Sequence, residues 1–455
     1  MTKFIYPTLD LFLYDLREGL GQTQAEIEEN RHRFKQKLPK INDEIFKQED
    51  EQHFEPEYVE LLGTQRYSDF KSEVYEGYYY PVRLTDSYGL LLDCSLKTQQ
   101  QDDDLTWLSD LQSYINEQLN GQMGSIGQTL MFSVQLPEVL RWEHEAIAKR
   151  CYNALIPKGN FAENKTGQTE FLGGSLFEFW QYSAQTDNKS NKNNKNHHII
   201  IIFYSDEKAA KTMAQFYPDW IHLLLYRHKM MWAYKQSRFL KKRLKAKSVD
   251  IEECRKEIDL YSIQQFNADK LQQTLDQAWR ILSNYTTALN QLEQQSRTIE
   301  TNYSNYQKRL FQLEEKTGQK LDLFRQFSEK VQEKYLHQIQ MDCRNLNPEL
   351  RSLENVIDYI RARVAIEDER RDRSFQETIA IWGIGLAAGA IVASISSHFP
   401  TITETEALAH PIGLFLSAFS IPSGWIAPGI SLTLSVGAAM VAGLVTKTII
   451  LLGHR

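Results

Sequence analysis

The chain has 455 residues, enough for about two or three domains, and its 59 acidic against 52 basic side chains give a net charge of −7. This mild acidity argues against nucleic acid as a partner. The cysteines Cys94, Cys151, Cys254 and Cys343 are widely spaced and form neither a CxxC pair nor a disulfide framework, which indicates a reducing compartment for most of the chain.

Residues 1–205 alternate between strand-like and helix-like segments. Asp10 and Asp15 interrupt the first apolar run, so we expect a strand there and not the core of a signal peptide. The segments predicted to be strands are KFIYPTLDLFLYDL, YYYPVRLTDSYGLLLDCSL, GQTLMFSVQL, FLGGSLFEFWQY and HHIIIIFYS. Helices are predicted at DLTWLSDLQSYINEQLN and PEVLRWEHEAIAKRCYNALI. The mixture predicts a cytoplasmic α+β or α/β sheet domain.

This N-terminal region carries no motif of a familiar catalytic chemistry. It lacks the phosphate-binding GxxxxGK[ST], the dinucleotide-binding GxGxxG, and the HExxH and GxSxG patterns. His197 and His198 follow a polar low-complexity segment without the Cys or carboxylate spacing of a metal site. We therefore expect no enzyme activity and no bound cofactor, and the sequence leaves a metal site undefined.

Residues 206–375 are predicted to form a coiled-coil stalk, with helices at about 206–246, 250–316, 319–346 and 348–375. Apolar residues recur in alternating steps of four and three from Leu271 to Leu313, which is the pattern of a heptad seam. Gly318 can end a helix and Pro348 can begin one. We expect an antiparallel hairpin turning at Gly318, with an uninterrupted rod as the alternative.

A basic cluster formed by Lys241, Lys242 and Arg243 lies near the end of the first of these helices. If the hairpin places this end beside a membrane, each basic side chain can gain about 1 kcal/mol from anionic lipid. The alternatives are a solvated turn or a nucleic-acid patch.

Two largely apolar segments near the C-terminus are predicted to cross a membrane, at about 376–398 and 428–450. No charged side chain occurs from Thr378 to Ser397, and a second uncharged run ends at Lys447. At 1.5 Å per residue, about 20 residues match a hydrocarbon core of about 30 Å. The basic residues at the helix ends are Arg370, Arg371, Arg373 and Lys447. They predict an integral protein of the inner or plasma membrane with both termini in the cytoplasm.

Small residues recur at every fourth position of the first predicted span, at Gly385, Gly389 and Ala393. Such faces allow close helix packing, which favours a homo-oligomer over packing within one chain. Glu404 and Glu406 carry the charges of the outer loop and are either a cation-attracting mouth or simply solvated.

The order of elements resembles the CorA family of divalent-cation channels, although ISSHFPTIT replaces that family's Gly-Met-Asn signature. The resemblance implies a CorA-like homopentamer in the lipid bilayer, with Mg²⁺ or another divalent cation as cargo or regulator. It places Thr378, Gly385, Gly389, Ala393 and Ser396 along the pore. The expected function is a divalent-cation channel or transporter. The alternative is a non-transporting, membrane-anchored coiled-coil scaffold, sensor, or stress or defence effector.

Overall fold

The computed structural model describes residues 3–19, 21–38, 46, 57–63, 65–98, 100–101, 105–181, 197–263 and 268–368. The chain forms two compact units. The first contains Met1–Leu244 and Thr287–Leu346, and the second contains Lys245–Thr286 and Asn347–Arg455. The sheet, the cavity and the buried polar groups discussed below all belong to the first unit.

A ten-stranded sheet forms the body of the first unit. Its strands are β1 (Lys3–Leu16), β2 (Tyr58–Glu60), β3 (Ser68–Lys71), β4 (Tyr75–Leu84), β5 (Ser87–Leu96), β6 (Gln100–Gln101), β7 (Gly127–Gln135), β8 (Lys165–Phe171), β9 (Gly174–Gln181) and β10 (His197–Tyr204). The order across the sheet is β2-β4-β5-β1-β7-β10-β9-β8, with β3 on β4 and β6 on β1. The β7–β10 pair is parallel, and its neighbours are antiparallel.

The helices are α1 (Gln24–Lys35), α2 (Thr106–Gln118), α3 (His144–Leu155), α4 (Phe161–Asn164), α5 (Glu207–Ala214), α6 (Tyr217–Ile263), α7 (Ala268–Thr317), α8 (Asp322–Lys330) and α9 (His337–Asp368). A 3-10 helix spans Glu138–Glu143, and a π-helical turn, Val331–Leu336, joins α8 to α9. α6 passes without a break through the region where the sequence suggested a helix end, and Pro348 lies inside α9.

The two faces of the sheet have different chemistry because side chains alternate along each strand. On β1, Leu9, Leu11 and Leu13 point into an apolar core that also contains side chains of α2 and α3. Full burial of each such leucine contributes about 1.5–3 kcal/mol. The alternate residues Asp10 and Tyr14 are also buried, but they hydrogen-bond to α6. The sheet thus has one apolar face and one buried face that carries polar groups.

The long helices of the first unit form an antiparallel hairpin. The Tyr306 hydroxyl on α7 donates to the Phe324 carbonyl at 3.3 Å, and Gln340 on α9 donates to Glu300 on α7 at 3.0 Å. From the first contact to the second, the residue number rises from 324 to 340 on the second arm and falls from 306 to 300 on α7. The two arms of the hairpin therefore run in opposite directions. Gly318 sits at the turn with a φ of 65°, in the left-handed region that favours glycine. The structure therefore has the hairpin and not the uninterrupted rod.

The second unit is described over parts of α6, α7 and α9. Its buried side chains include Ile251, Leu282 and Ile357, which belong to the apolar faces of these amphipathic helices. Arg361 lies over the Trp279 ring at 5.5 Å, a cation–π contact between α9 and α7.

The membrane part of the predicted fold is corrected. Within the described ranges, no helix combines the length and the apolar composition that crossing a bilayer requires, because the long helices carry charged faces. The structure supports an α+β sheet domain followed by long helices, and we withdraw the CorA-like fold class with transmembrane helices, the membrane assignment and the integral-membrane localisation. Segments 376–398 and 428–450, to which the prediction assigned the spans, lie outside the described residues.

Candidate functional site

Most of the residues predicted to be functional fall outside the part of the chain that the structure describes. These are Thr378, Gly385, Gly389, Ala393, Ser396, Glu404, Glu406, Arg370, Arg371, Arg373 and Lys447.

The predicted basic cluster on α6, Lys241, Lys242 and Arg243, lies within the residues that the structure describes. Lys241 donates to Asp342 on α9 at 2.7 Å, and Arg238 pairs with the same carboxylate. Burial opposes the ionisation of Asp342, but these hydrogen bonds outweigh it and lower the Asp342 pKa. Lys241 therefore joins two helices of this chain.

A cavity of about 220 Å³ lies between the β8–β9 edge of the sheet and the helices α6 and α8. The side chains that line it are Thr166, Glu178, Trp180, Arg227, Met231, Leu323, Gln326, Phe327, Lys330 and Tyr335. Leu172 and Gln319 tie the same sheet edge to the hairpin turn, since the Leu172 N–H donates to Gln319 Oε1 at 2.8 Å. The cavity thus lies where the sheet edge packs against the helical hairpin.

Glu178 is the buried carboxylate of this cavity. Its Oε1 accepts from His198 Nε2 at 2.9 Å and forms an ion pair with Arg227 Nη2, also at 2.9 Å, and its Oε2 accepts from Thr166 Oγ1 at 2.7 Å. Burial alone would raise the pKa of Glu178, but the Arg227 charge and these hydrogen bonds outweigh it and lower the pKa to about 2. Glu178 is therefore ionised at neutral pH, and both of its oxygens are occupied.

A chain of hydrogen bonds runs from Glu178 across the buried face of the sheet. Thr129 Oγ1 lies 2.7 Å from His198 Nδ1 and 2.7 Å from His228 Nε2, as expected from the β7–β10 register that pairs Thr129 with His198. Burial, aided by the Arg227 charge, lowers the pKa of His198 to about 4, and burial also lowers the pKa of His228. Both imidazoles are therefore neutral at pH 7.

The ionisation of Glu178 fixes the direction of this chain. The carboxylate can only accept, so neutral His198 carries its proton on Nε2 and accepts at Nδ1. Thr129 must then donate to His198, and its oxygen accepts from His228 Nε2. Every contact in the chain thus has a defined donor and a defined acceptor. The hydrogen bonds therefore hold the Glu178 carboxylate and both imidazole rings in fixed orientations.

The order carboxylate, imidazole, hydroxyl in Glu178, His198 and Thr129 matches that of a hydrolase triad. A nucleophilic hydroxyl must reach its substrate, and Thr129 is fully buried and absent from the cavity wall. In this conformation the threonine orients the two histidines and does not face a ligand.

Arg227 is the buried cation of the cavity, with an exposed fraction of 3%. Its guanidinium carbon lies 3.8 Å from the centroid of the Phe327 ring and 5.5 Å from that of Trp180. Nη2 forms the ion pair with Glu178, whereas Nε and Nη1 are buried and have no acceptor at hydrogen-bonding geometry among the described residues. The Tyr306 hydroxyl lies close by, and burial raises the Tyr306 pKa while Arg227 opposes the rise.

The helical wall of the cavity is irregular. Lys330 is the last residue of α8 and is exposed, and the π-helical turn Val331–Leu336 follows immediately. Tyr335 on this turn stacks on Tyr234 of α6 with ring centroids 4.4 Å apart. π-helical turns within α-helices occur frequently at functional sites.

The sequence pattern singles out His198 but not Glu178, Thr129 or Arg227, which surround it in the structure. Glu178 is the one charged residue in the apolar segment SLFEFW. Arg227 is the first of three basic residues, Arg227, His228 and Lys229, inside the apolar segment LLLYRHKMMW. Charged residues inside apolar runs, whether isolated as Glu178 is or grouped as Arg227 and Lys229 are, are the signal that could have indicated a buried ion pair. Within the described ranges, no group of three or more His, Cys, Asp or Glu side chains could hold a metal ion.

Comparisons with protein-family models, with curated proteins and with solved structures gave no match. The resemblance to CorA channels therefore stays a prediction, and the site is interpreted from its own chemistry.

Proposed function

We propose that the described part of this chain is a sensor, in which a small molecule binds in the cavity between the sheet and the helical hairpin. The observation that carries the proposal is that one wall of the cavity is a sheet edge and the opposite wall ends in a π-helical turn. A ligand that contacts both walls would therefore contact the π-helical turn Val331–Leu336 through Tyr335.

The π-helical turn supplies a means of response. A π turn accommodates about one residue more than an α-helical turn, and its conversion to α-helix changes the register of everything that follows. A change of one residue rotates the downstream helix by about 100° and shifts it by about 1.5 Å. Since α9 continues from His337 to Asp368, binding at Lys330 and Tyr335 would be transmitted along α9.

This proposal develops the sensor alternative of the sequence interpretation. The ion-channel interpretation, its divalent cargo and its pore depend on positions from 376 onward, which lie outside the described residues. The homopentamer likewise stays a prediction. The concave, partly aromatic cavity favours a ligand as the input, and so do the two buried Arg227 donors that meet no acceptor at hydrogen-bonding geometry among the described residues.

A screen with a blocking variant tests the proposal. A fragment library with anionic, neutral and cationic members is tested for a shift in Tm of the full chain, and hits are examined by hydrogen exchange. We expect at least one hit to raise Tm and to slow amide exchange in Val331–Leu336. Met231→Trp, which fills the cavity from α6, should abolish both effects.

Phe239→Trp is the matched control, because Phe239 lies on the same helix and is 65% exposed. Its ligand response should equal that of the unmodified chain. Hits that bind Met231→Trp equally well, or that bind without protecting the π turn, would contradict the proposal.

A further inference from the structure

We propose that the ligand of this cavity is a small planar organic anion, whose anionic group binds between Arg227 and Lys330. This inference rests on the proposed sensor function and names the chemical class of the ligand. It follows from the charges on the wall, from the unpartnered donors of Arg227 and from the shape of the space.

The charged side chains of the wall are two cations, Arg227 and Lys330, and one carboxylate, Glu178. Glu178 is ionised and offsets one cation, and the neighbouring His198 is neutral at pH 7. Lys330 makes no ion pair with any residue in the described part of the chain. The cavity wall therefore carries one uncompensated positive charge, which one anionic ligand would balance.

The hydrogen-bonding capacity of the wall points the same way. Thr166, His198 and Arg227 already contact the two oxygens of Glu178, and the Arg227 charge balances the carboxylate, so the wall has no unpaired negative charge to attract a cationic ligand. In contrast, Arg227 Nε and Nη1 are buried donors that meet no acceptor at hydrogen-bonding geometry among the described residues, although the Tyr306 hydroxyl lies close to the guanidinium. Buried donors without acceptors are rare in native proteins, and a ligand carboxylate can accept a charge-assisted N–H bond from one of them.

The cation–π contact with Phe327 does not satisfy these donors. The contact engages the charge of the guanidinium through the ring face, whereas the N–H groups need an oxygen lone pair. An anion at the edge of the guanidinium can therefore bind without displacing Phe327.

The walls also limit the size and shape of the ligand. Trp180, Phe327 and Tyr335 contribute aromatic surface, which suits a flat apolar body. The volume of about 220 Å³ lies below the range of about 300–1,000 Å³ typical of sites for drug-sized molecules. The space fits a compound with one aromatic ring and one anionic group.

Three compounds of nearly identical shape separate the alternatives. Benzoate, benzamide and benzamidine differ in charge at one substituent and are titrated into the full chain by calorimetry and by NMR. We expect benzoate to bind, benzamide to bind at least about tenfold more weakly, and benzamidine to show no binding at this site. None of the three should bind Met231→Trp.

A second pair of variants tests Lys330 without disturbing the buried ion pair. Lys330→Gln should weaken benzoate binding about threefold to fivefold, because an exposed cation contributes modestly to binding. Lys334→Gln is the matched control, since Lys334 is an exposed lysine in the adjoining π turn that does not line the cavity. It should leave benzoate affinity unchanged.

The outcomes distinguish the two proposals. If benzamidine or benzamide binds as tightly as benzoate and Met231→Trp blocks it, the anionic class is wrong while the sensor function stands. If benzoate binds Met231→Trp equally well, or if Lys330→Gln and Lys334→Gln behave alike, the assignment to Arg227 and Lys330 is wrong. If no library member binds the cavity at all, both proposals fail.

Discussion

Asp10 on β1 and Asp93 on β5 lie directly opposite each other in the antiparallel register, and both are buried. The Tyr217 hydroxyl donates to Asp10 Oδ2 at 2.8 Å. Burial, and then repulsion from Asp93, raises the pKa of Asp10 well above its usual range, and burial raises the pKa of Asp93 to about 6. The pair therefore retains a proton at pH values where exposed aspartates have lost theirs, as in other carboxyl pairs.

Asp10→Asn should stabilise the protein at high pH. Both native pKa values are raised, so the folded state binds more protons than the unfolded chain, and stability falls as pH rises from about 4 through about 6. The introduced amide keeps an acceptor for Tyr217 and offers a donor to Asp93 without needing a shared proton. We expect a gain of about 1–3 kcal/mol at pH 8 and little difference at pH 4, measured by urea unfolding.

The exposed Asp69→Asn is the control for this pH dependence and should change stability equally at both pH values. A gain from Asp10→Asn that is the same at pH 4 and pH 8 would show that the carboxyl pair does not share a proton.

Glu178→Gln should destabilise the fold strongly. The change leaves the Arg227 charge buried without its partner, and removing one member of a buried ion pair typically costs about 3–5 kcal/mol. The double variant Glu178→Gln with Arg227→Met should recover much of this loss, because it buries no charge at either position. Urea midpoints of the two single variants and the double variant form the cycle. Additive losses would show that the two side chains do not interact.

Thr129→Val should destabilise the protein more than Thr129→Ser, which keeps the hydroxyl and loses only one buried methyl group, worth about 0.8 kcal/mol. Valine keeps the volume of threonine but removes the hydroxyl that donates to His198 Nδ1 and accepts from His228 Nε2. Leaving these buried groups unsatisfied costs about 1–3 kcal/mol, and serine retains both hydrogen bonds. Nitrogen NMR should find His198 neutral and protonated at Nε2 at pH 7. The opposite tautomer would contradict the direction derived for the chain.

The parts of this fold that depend on local patterns are visible in the sequence. The run KFIYPTLDLFLYDL corresponds to β1, and Gly318 marks the hairpin turn, because both signals lie within a few neighbouring residues. The buried Asp10 also fits the alternation along β1. However, alternation shows only that a side chain is on one face, and not which side chain it meets.

The cavity was beyond sequence reasoning for the same physical reason. Its walls meet through contacts such as Leu172 with Gln319, whose positions are 147 residues apart in the chain. The π-helical turn covers six residues, too few for its altered period to appear in a hydrophobic pattern. The sequence-based hypothesis instead followed the longest apolar segments, which lie outside the described residues.

Gly318→Ala tests whether the hairpin turn depends on backbone conformation alone. Gly318 has a φ of 65°, and a Cβ built there meets no atom within 4 Å, so alanine adds strain without a clash. We expect a loss of about 1–2 kcal/mol in the free energy of unfolding, and a smaller loss for Gly318→Asn, since asparagine tolerates this region better. Gly121 is a matched reference, because it has a φ of 68° and equally open surroundings. Gly121→Ala should cost the same within error. A much larger loss at Gly318 would show that the turn also makes contacts that stabilise the hairpin.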